Sequence, residues 1–152
     1  MNPRRRTLRY ESLDEVMPDV ERLLEGHETV GQWSLAEICA HLAATIRRAV
    51  DTPASTSHDP SLLFGPEQRA AVFATGQLPE ELPRPAALVA PETIGEREAA
   101  ERLREAIGDY AASPGPVAPH RYFGPMTKDE WDRLQRIHCA HHLSFALPTG
   151  RG

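Results

Sequence analysis

Four times along this chain a helical apolar pattern follows a hydroxyl residue that stands three positions before a carboxylate. The four are Ser12-Leu13-Asp14-Glu15, Ser34-Leu35-Ala36-Glu37, Thr93-Ile94-Gly95-Glu96 and Thr127-Lys128-Asp129-Glu130. In such a capping box the hydroxyl and the carboxylate each take one orphan backbone N–H at a helix start. The first predicts a helix from Ser12 to about Glu25, with Leu13, Val16, Val20, Leu23 and Leu24 inward, Gly26 as C-cap and a kink or restart at Pro18. The second predicts Ser34 to about Val50, with Ile38, Leu42, Thr45 and Ala49 inward. The third predicts Thr93 to about Ala112, with Ala100, Leu103, Ile107 and Tyr110 inward. The fourth predicts Thr127 to about Ala146, ended by Pro148. No strand pattern stands out, so the expected class is all-α.

The 152 residues suit one domain covering the whole chain, 1–152. Residues 51–92 form a long connection between the second and third helices, with seven prolines and a short helix expected from about Pro66 to Thr75, anchored by Ala70, Val72 and Phe73. So long a crossover frees those two helices to lie parallel. A net charge of −5 and a pI of 5.8 argue against a nucleic-acid binder. The Arg4-Arg5-Arg6 run reads as a solvated N-terminal tail. No apolar run reaches the ~20 residues of a membrane span. Arginines in place of a signal-peptide apolar core lead to the expectation of a cytoplasmic protein. Cys39 and Cys139 read as thiols that pack as small apolar side chains.

The chemistry concentrates in the last helix. In RIHCAHHLSF, at roughly 100° per residue, His138 and His142 share the apolar stripe of Trp131, Leu134 and Phe145. Residues at that spacing lie about 5–6 Å apart at Cβ, which suits two ligands of one ion. A third ligand should come from another helix, and His41 in WSLAEICAHLA, at the edge of its stripe, is the leading candidate. His120 could reach the site from a loop. His141 reads first as a supporting or interface residue and second as an alternative ligand. His27 and His58 read as surface histidines. Glu37 is the nearest obvious carboxylate to His41, but its capping role comes first. Three neutral imidazoles leave an ion its full charge and an open position, the ligand count of catalytic sites. Such an ion would acidify a bound water toward about pH 7, or strip the proton from a bound thiol.

The Trp33-to-His41 segment, HRYFGPMTKDEW and HCAHHLSF together resemble the DinB/YfiT-like superfamily of metalloproteins. The last two are similar to a bacterial subfamily pattern H-P-x-F-G-x-[LM]-[ST]-x-x-E-W followed by H-x-x-H-H-L. Arg121 here replaces the proline of that pattern. The resemblance spans nearly the whole chain and is strongest over 33–42 and 120–145. It implies an up-down-down-up four-helix bundle, a metal site of His41, His138 and His142, and homodimerisation. Relatives in that superfamily include metal-dependent transferases that use low-molecular-weight thiols. The expectation carried forward is therefore a divalent-metal enzyme, with zinc or nickel as leading ions and a small thiol and an electrophile as substrates. A non-catalytic helical binding module is the alternative.

Overall fold

A computed structural model describes residues 5–31, 33–51, 63–76, 94–113, 120, 123–124 and 126–149. The described chain is mostly helical. In order it carries α1 (Val16–Glu25), β1 (His27–Thr29), α2 (Leu35–Asp51), α3 (Pro66–Thr75), α4 (Glu96–Ala112), α5 (Lys128–Leu143) and β2 (Ala146–Pro148), with a 3-10 turn at Leu13–Glu15 leading into α1. Among the described residues no helix is long and apolar enough to cross a membrane.

Local chemistry sets the helix starts. At α2 the Ser34 Oγ accepts the Glu37 N–H at 3.1 Å, while the Glu37 carboxylate accepts the Ser34 N–H at 3.0 Å. Thr127 and Glu130 make the same reciprocal pair at α5, at 3.2 and 3.0 Å. Replacing Thr127 with alanine is expected to cost about 1 kcal/mol, read as a lowered urea midpoint with an unchanged slope.

The other two boxes behave differently. Ser12 Oγ accepts from Asp14 N–H, and Glu15 reaches back to the Glu11 N–H, so the box opens the 3-10 turn rather than α1 itself. Pro18 then falls in the first turn of α1, where a missing N–H is harmless. The restart expected at Pro18 is thus taken up just before it. The third helix begins at Glu96, not Thr93; Gly95 is its N-cap and offers no side chain to do the capping. Thr93 lies outside the described residues, as does most of the Pro-rich connection. Within that connection α3 forms where it was expected. Val72 is buried and Phe73 packs beside it, but Ala70 is exposed and anchors nothing.

The main core is one continuous cluster. α2 packs most extensively on α4, with α1 also against α4 and α5 against α2. Val16, Val20 and Leu23 of α1, Leu35, Ile38, Leu42 and Ile46 of α2, and Ala99, Leu103 and Tyr110 of α4 are almost fully buried. Each large aliphatic side chain so buried contributes on the order of 1.5–3 kcal/mol. Tyr110 also donates its hydroxyl to Asp132 Oδ1 at 2.5 Å, tying α4 to α5. A smaller cluster joins Val72, Phe123 and Leu134 with Phe64, Phe73, Met126 and Ile137.

The all-helical expectation fails at the end of α5. That helix stops at Leu143, and Ala146–Pro148 becomes a strand antiparallel to His27–Thr29, with His27 opposite Pro148 and Thr29 opposite Ala146. Val30 N–H to Phe145 O and Thr149 N–H to Gly26 O, both 2.9 Å, extend the pairing. Three-residue strands are too short for an alternation pattern to register.

Nor are Arg5 and Arg6 a solvated tail. The Arg6 guanidinium forks onto Asp19 at 3.0 and 2.9 Å and donates to Leu143 O at 3.0 Å, while its backbone N–H reaches Ser144 O at 2.7 Å. Tyr10 donates to the same Asp19 at 2.6 Å. The segment therefore straps α1 to the C-terminal end of α5, where unpaired carbonyls attract cationic donors.

Candidate metal centre

Once the sheet pairs β1 with β2, the chain leaving β1 runs past Phe145 and into α2, which carries His41 toward the last turns of α5. His41 Nε2 lies 3.3 Å from His138 Nε2, and His142 Nε2 lies 3.1 Å from the same atom. One ligand atom from each of the three residues falls within 4.8 Å of the others. The rings are tilted by 70–78° to one another, with centroids 4.7–5.2 Å apart. His41 and His142 are buried and His138 is half-buried. The expected edge position of His41 is thus a buried one.

Hydrogen bonding alone accounts poorly for this arrangement. A ring nitrogen carries either one proton or one lone pair. His138 Nε2 cannot give separate hydrogen bonds to two neighbours at once, yet two Nε2 atoms approach it. A common cation resolves the conflict, because all three lone pairs then point inward. Ligand nitrogens around a tetrahedral ion with bonds of about 2.0–2.1 Å stand about 3.3–3.4 Å apart. The observed 3.1 and 3.3 Å are close to that spacing. The three-histidine group could therefore hold a metal ion.

Trp33 is the site residue that sequence reasoning did not assign. Its indole stacks on His142 at 5.4 Å and 12°, and meets the His41 ring edge-on at 4.9 Å. It lies just before α2, so helical periodicity gives no hint of it. Its only signal was its place at the head of the motif that ends in His41.

The other histidines have separate engagements. His141 is buried, and its Nδ1 lies 3.3 Å from Arg5 Nη2. His120 accepts the Phe123 N–H at 3.2 Å through Nδ1, and its ring lies against Phe123 and Trp131 rather than in the triad. Burial, with the Arg48 charge, pushes its pKa down to about 4. His27 is half-buried rather than on the surface: Nδ1 donates to Leu23 O at 2.9 Å, and Nε2 lies 3.6 Å from Glu96 Oε2. His58 lies outside the described residues. Glu37 caps α2, as expected. Cys39 and Cys139 are buried thiols, each pushed up to about 12, chiefly by burial, and neither belongs to the three-residue group.

A family model described as "Protein of unknown function (DUF1569)" matches residues 2–149. Comparison with curated proteins and with solved structures gave no match.

Proposed function

Because this chain belongs to the DUF1569 family, whose description attaches no reaction to it, we propose from the site itself that the protein is a divalent-metal enzyme acting on a small thiol. His41, His138 and His142 are its metal ligands. The observation that carries this reading is the approach of two imidazole Nε2 atoms, at 3.3 and 3.1 Å, to the single Nε2 of His138. A divalent ion there would supply Lewis acidity, lowering the pKa of a thiol or water bound beside it.

The chain's own residues shape that chemistry. Three uncharged ligands leave the ion's charge undiminished, which favours binding an anionic sulfur over a neutral group. Trp33 stacks on one ligand and edges another, so it shields the triad from bulk water and sharpens its electrostatics. His141, whose ring lies 4.9 Å from that of His142, has its Nδ1 engaged by Arg5 and is not one of the three converging groups. The resemblance of 33–42 and 120–145 to the DinB/YfiT-like superfamily supports a thiol-dependent transferase. The same resemblance underlies the proposals of an up-down-down-up four-helix bundle, built here from α1, α2, α4 and α5, and of a homodimer. Zinc or nickel as the ion and an electrophilic co-substrate belong to this reading too, as does a cytoplasmic setting.

The test is elemental analysis of protein purified without a histidine tag, followed by transfer assays with glutathione and other small thiols against electrophiles. One ion per chain and a thiol-dependent product support the proposal. A four-ligand site whose spectrum ignores thiols would replace it with the non-catalytic binding module. Trp33 supplies an optical check. Adding Co²⁺ or Ni²⁺ should quench the tryptophan emission, with most of the quenching lost in Trp33→Phe and little in Trp131→Phe. Trp131 sits two turns from His138, about 10 Å along the helix axis.

A further inference from the structure

We propose that Arg5 is a positioning residue for the metal centre: acting through His141 and Ser144, it fixes the orientation of His142. The inference rests on the reading of the triad as metal ligands, and concerns how one ligand is held. His142 is the penultimate residue of α5. The last turn of a helix has carbonyls without intrahelical partners and frays unless something ties it down. His41 and His138 stand further inside their helices and do not share this problem.

Arg5 supplies the tie from a segment more than a hundred residues away in sequence. Its Nε donates to Ser144 Oγ at 2.9 Å, and its Nη2 to His141 O at 3.4 Å. Ser144 Oγ donates in turn to the same His141 carbonyl at 2.6 Å. The guanidinium also lies 4.4 Å over the Phe145 ring. Arginine is a donor only, so its Nη2, 3.3 Å from His141 Nδ1, makes that nitrogen the acceptor and leaves the ring proton on Nε2. His141, so oriented, sets its ring at 83° to the His142 ring, 4.9 Å away. Trp33 stacks on His142 as well. The His142 imidazole is thus held by Trp33 and by a histidine that Arg5 aligns.

The experiment compares Arg5→Ala, Ser144→Ala and Arg9→Ala, the last being an exposed arginine of the same segment. The first readout is Co²⁺ affinity with its visible absorption spectrum. Arg5→Ala should weaken binding by about 10–100-fold, the range for a residue that orients a ligand, and should change the ligand-field bands. Ser144→Ala should do so more mildly, and Arg9→Ala should match the wild type. The second readout is imidazole ¹H–¹⁵N NMR of the metal-free protein. Arg5→Ala should shift or broaden the His142 signals and spare those of His41. Wild-type affinity, bands and His142 signals in Arg5→Ala would overturn the proposal. A wild-type protein that binds no Co²⁺ would instead defeat the metal reading. The NMR comparison then decides the positioning role by itself: a changed His142 supports it, and an unchanged one ends it.

Discussion

Replacing His138 with alanine should abolish stoichiometric binding of a divalent ion. The expected loss in affinity exceeds the 10–100-fold typical of groups that only orient a ligand, because His138 is the member both other imidazoles approach. Its Nε2 lies 3.3 Å from that of His41 and 3.1 Å from that of His142. Without it, two nitrogens on separate helices remain, too few to define a site. His142→Ala should fail for the same reason. His27→Ala should keep one ion per chain, since the His27 ring is committed to Leu23 O and Glu96. His58→Ala is expected to do likewise. The measurements are metal content after gel filtration and competition against a fluorescent chelator. A His138→Ala protein that still held one ion at wild-type affinity would move the site elsewhere.

The second large effect concerns Asp19, which has no part in the triad. The Arg6 and Asp19 side chains are only 17% and 11% exposed. Asp19→Ala would leave the Arg6 charge buried without its counter-ion and take the acceptor from Tyr10. Breaking a largely buried pair from one side costs about 3–5 kcal/mol, a large share of the 5–15 kcal/mol that holds a domain of ordinary stability together. Urea denaturation would measure it. The acid limb gives an independent check. Burial alone would push the Asp19 carboxyl up, but hydrogen bonds from Arg6 and Tyr10 and the charges of Arg6 and Arg22 outweigh it and hold the pKa below the ordinary carboxylate value. A carboxyl with a depressed folded-state pKa contributes stability that is present above its unfolded value, about 3.9. That contribution is lost as pH falls through the folded value. Asp19→Asn should therefore be less stable than wild type at neutral pH, and should lose less than wild type between pH 5 and pH 2. Parallel acid limbs would show that Asp19 contributes nothing by its charge.

Both predictions draw on contacts that differ in how far they could be read from sequence. The starts of α2 and α5 were legible because Ser34 with Glu37 and Thr127 with Glu130 settle the matter within four residues. So was α3, where Pro66 stands at the first helical position. The inward pairing of His138 with His142 followed from the helical period, and His41 from an apolar helix with a single histidine in it. Most of what failed was tertiary, and one helix start failed locally. Gly95 rather than Thr93 precedes α4, because a carboxylate three residues after a hydroxyl does not oblige that hydroxyl to cap. β1 and β2 pair across most of the chain with three residues each. Arg5 and Arg6 read as a tail because their partners His141, Leu143 and Ser144 lie some 136–139 residues away. Trp33 needed the fold before its stacking partner could be named.

The two-stranded sheet also has a consequence in time. It pairs His27 with Pro148, and the histidines it helps bring together, 41 and 138, are 97 residues apart. Contacts of such separation are entropically costly to close and form late, after local helices have already begun to appear. During synthesis, α1, α2 and α4 are complete before His138 exists. The nascent chain can therefore offer an ion no more than one of the three imidazoles until the last helix emerges. Capture of the metal would then be a closing event of folding rather than a template for it, and a chain truncated before α5 would carry only His41 of the three.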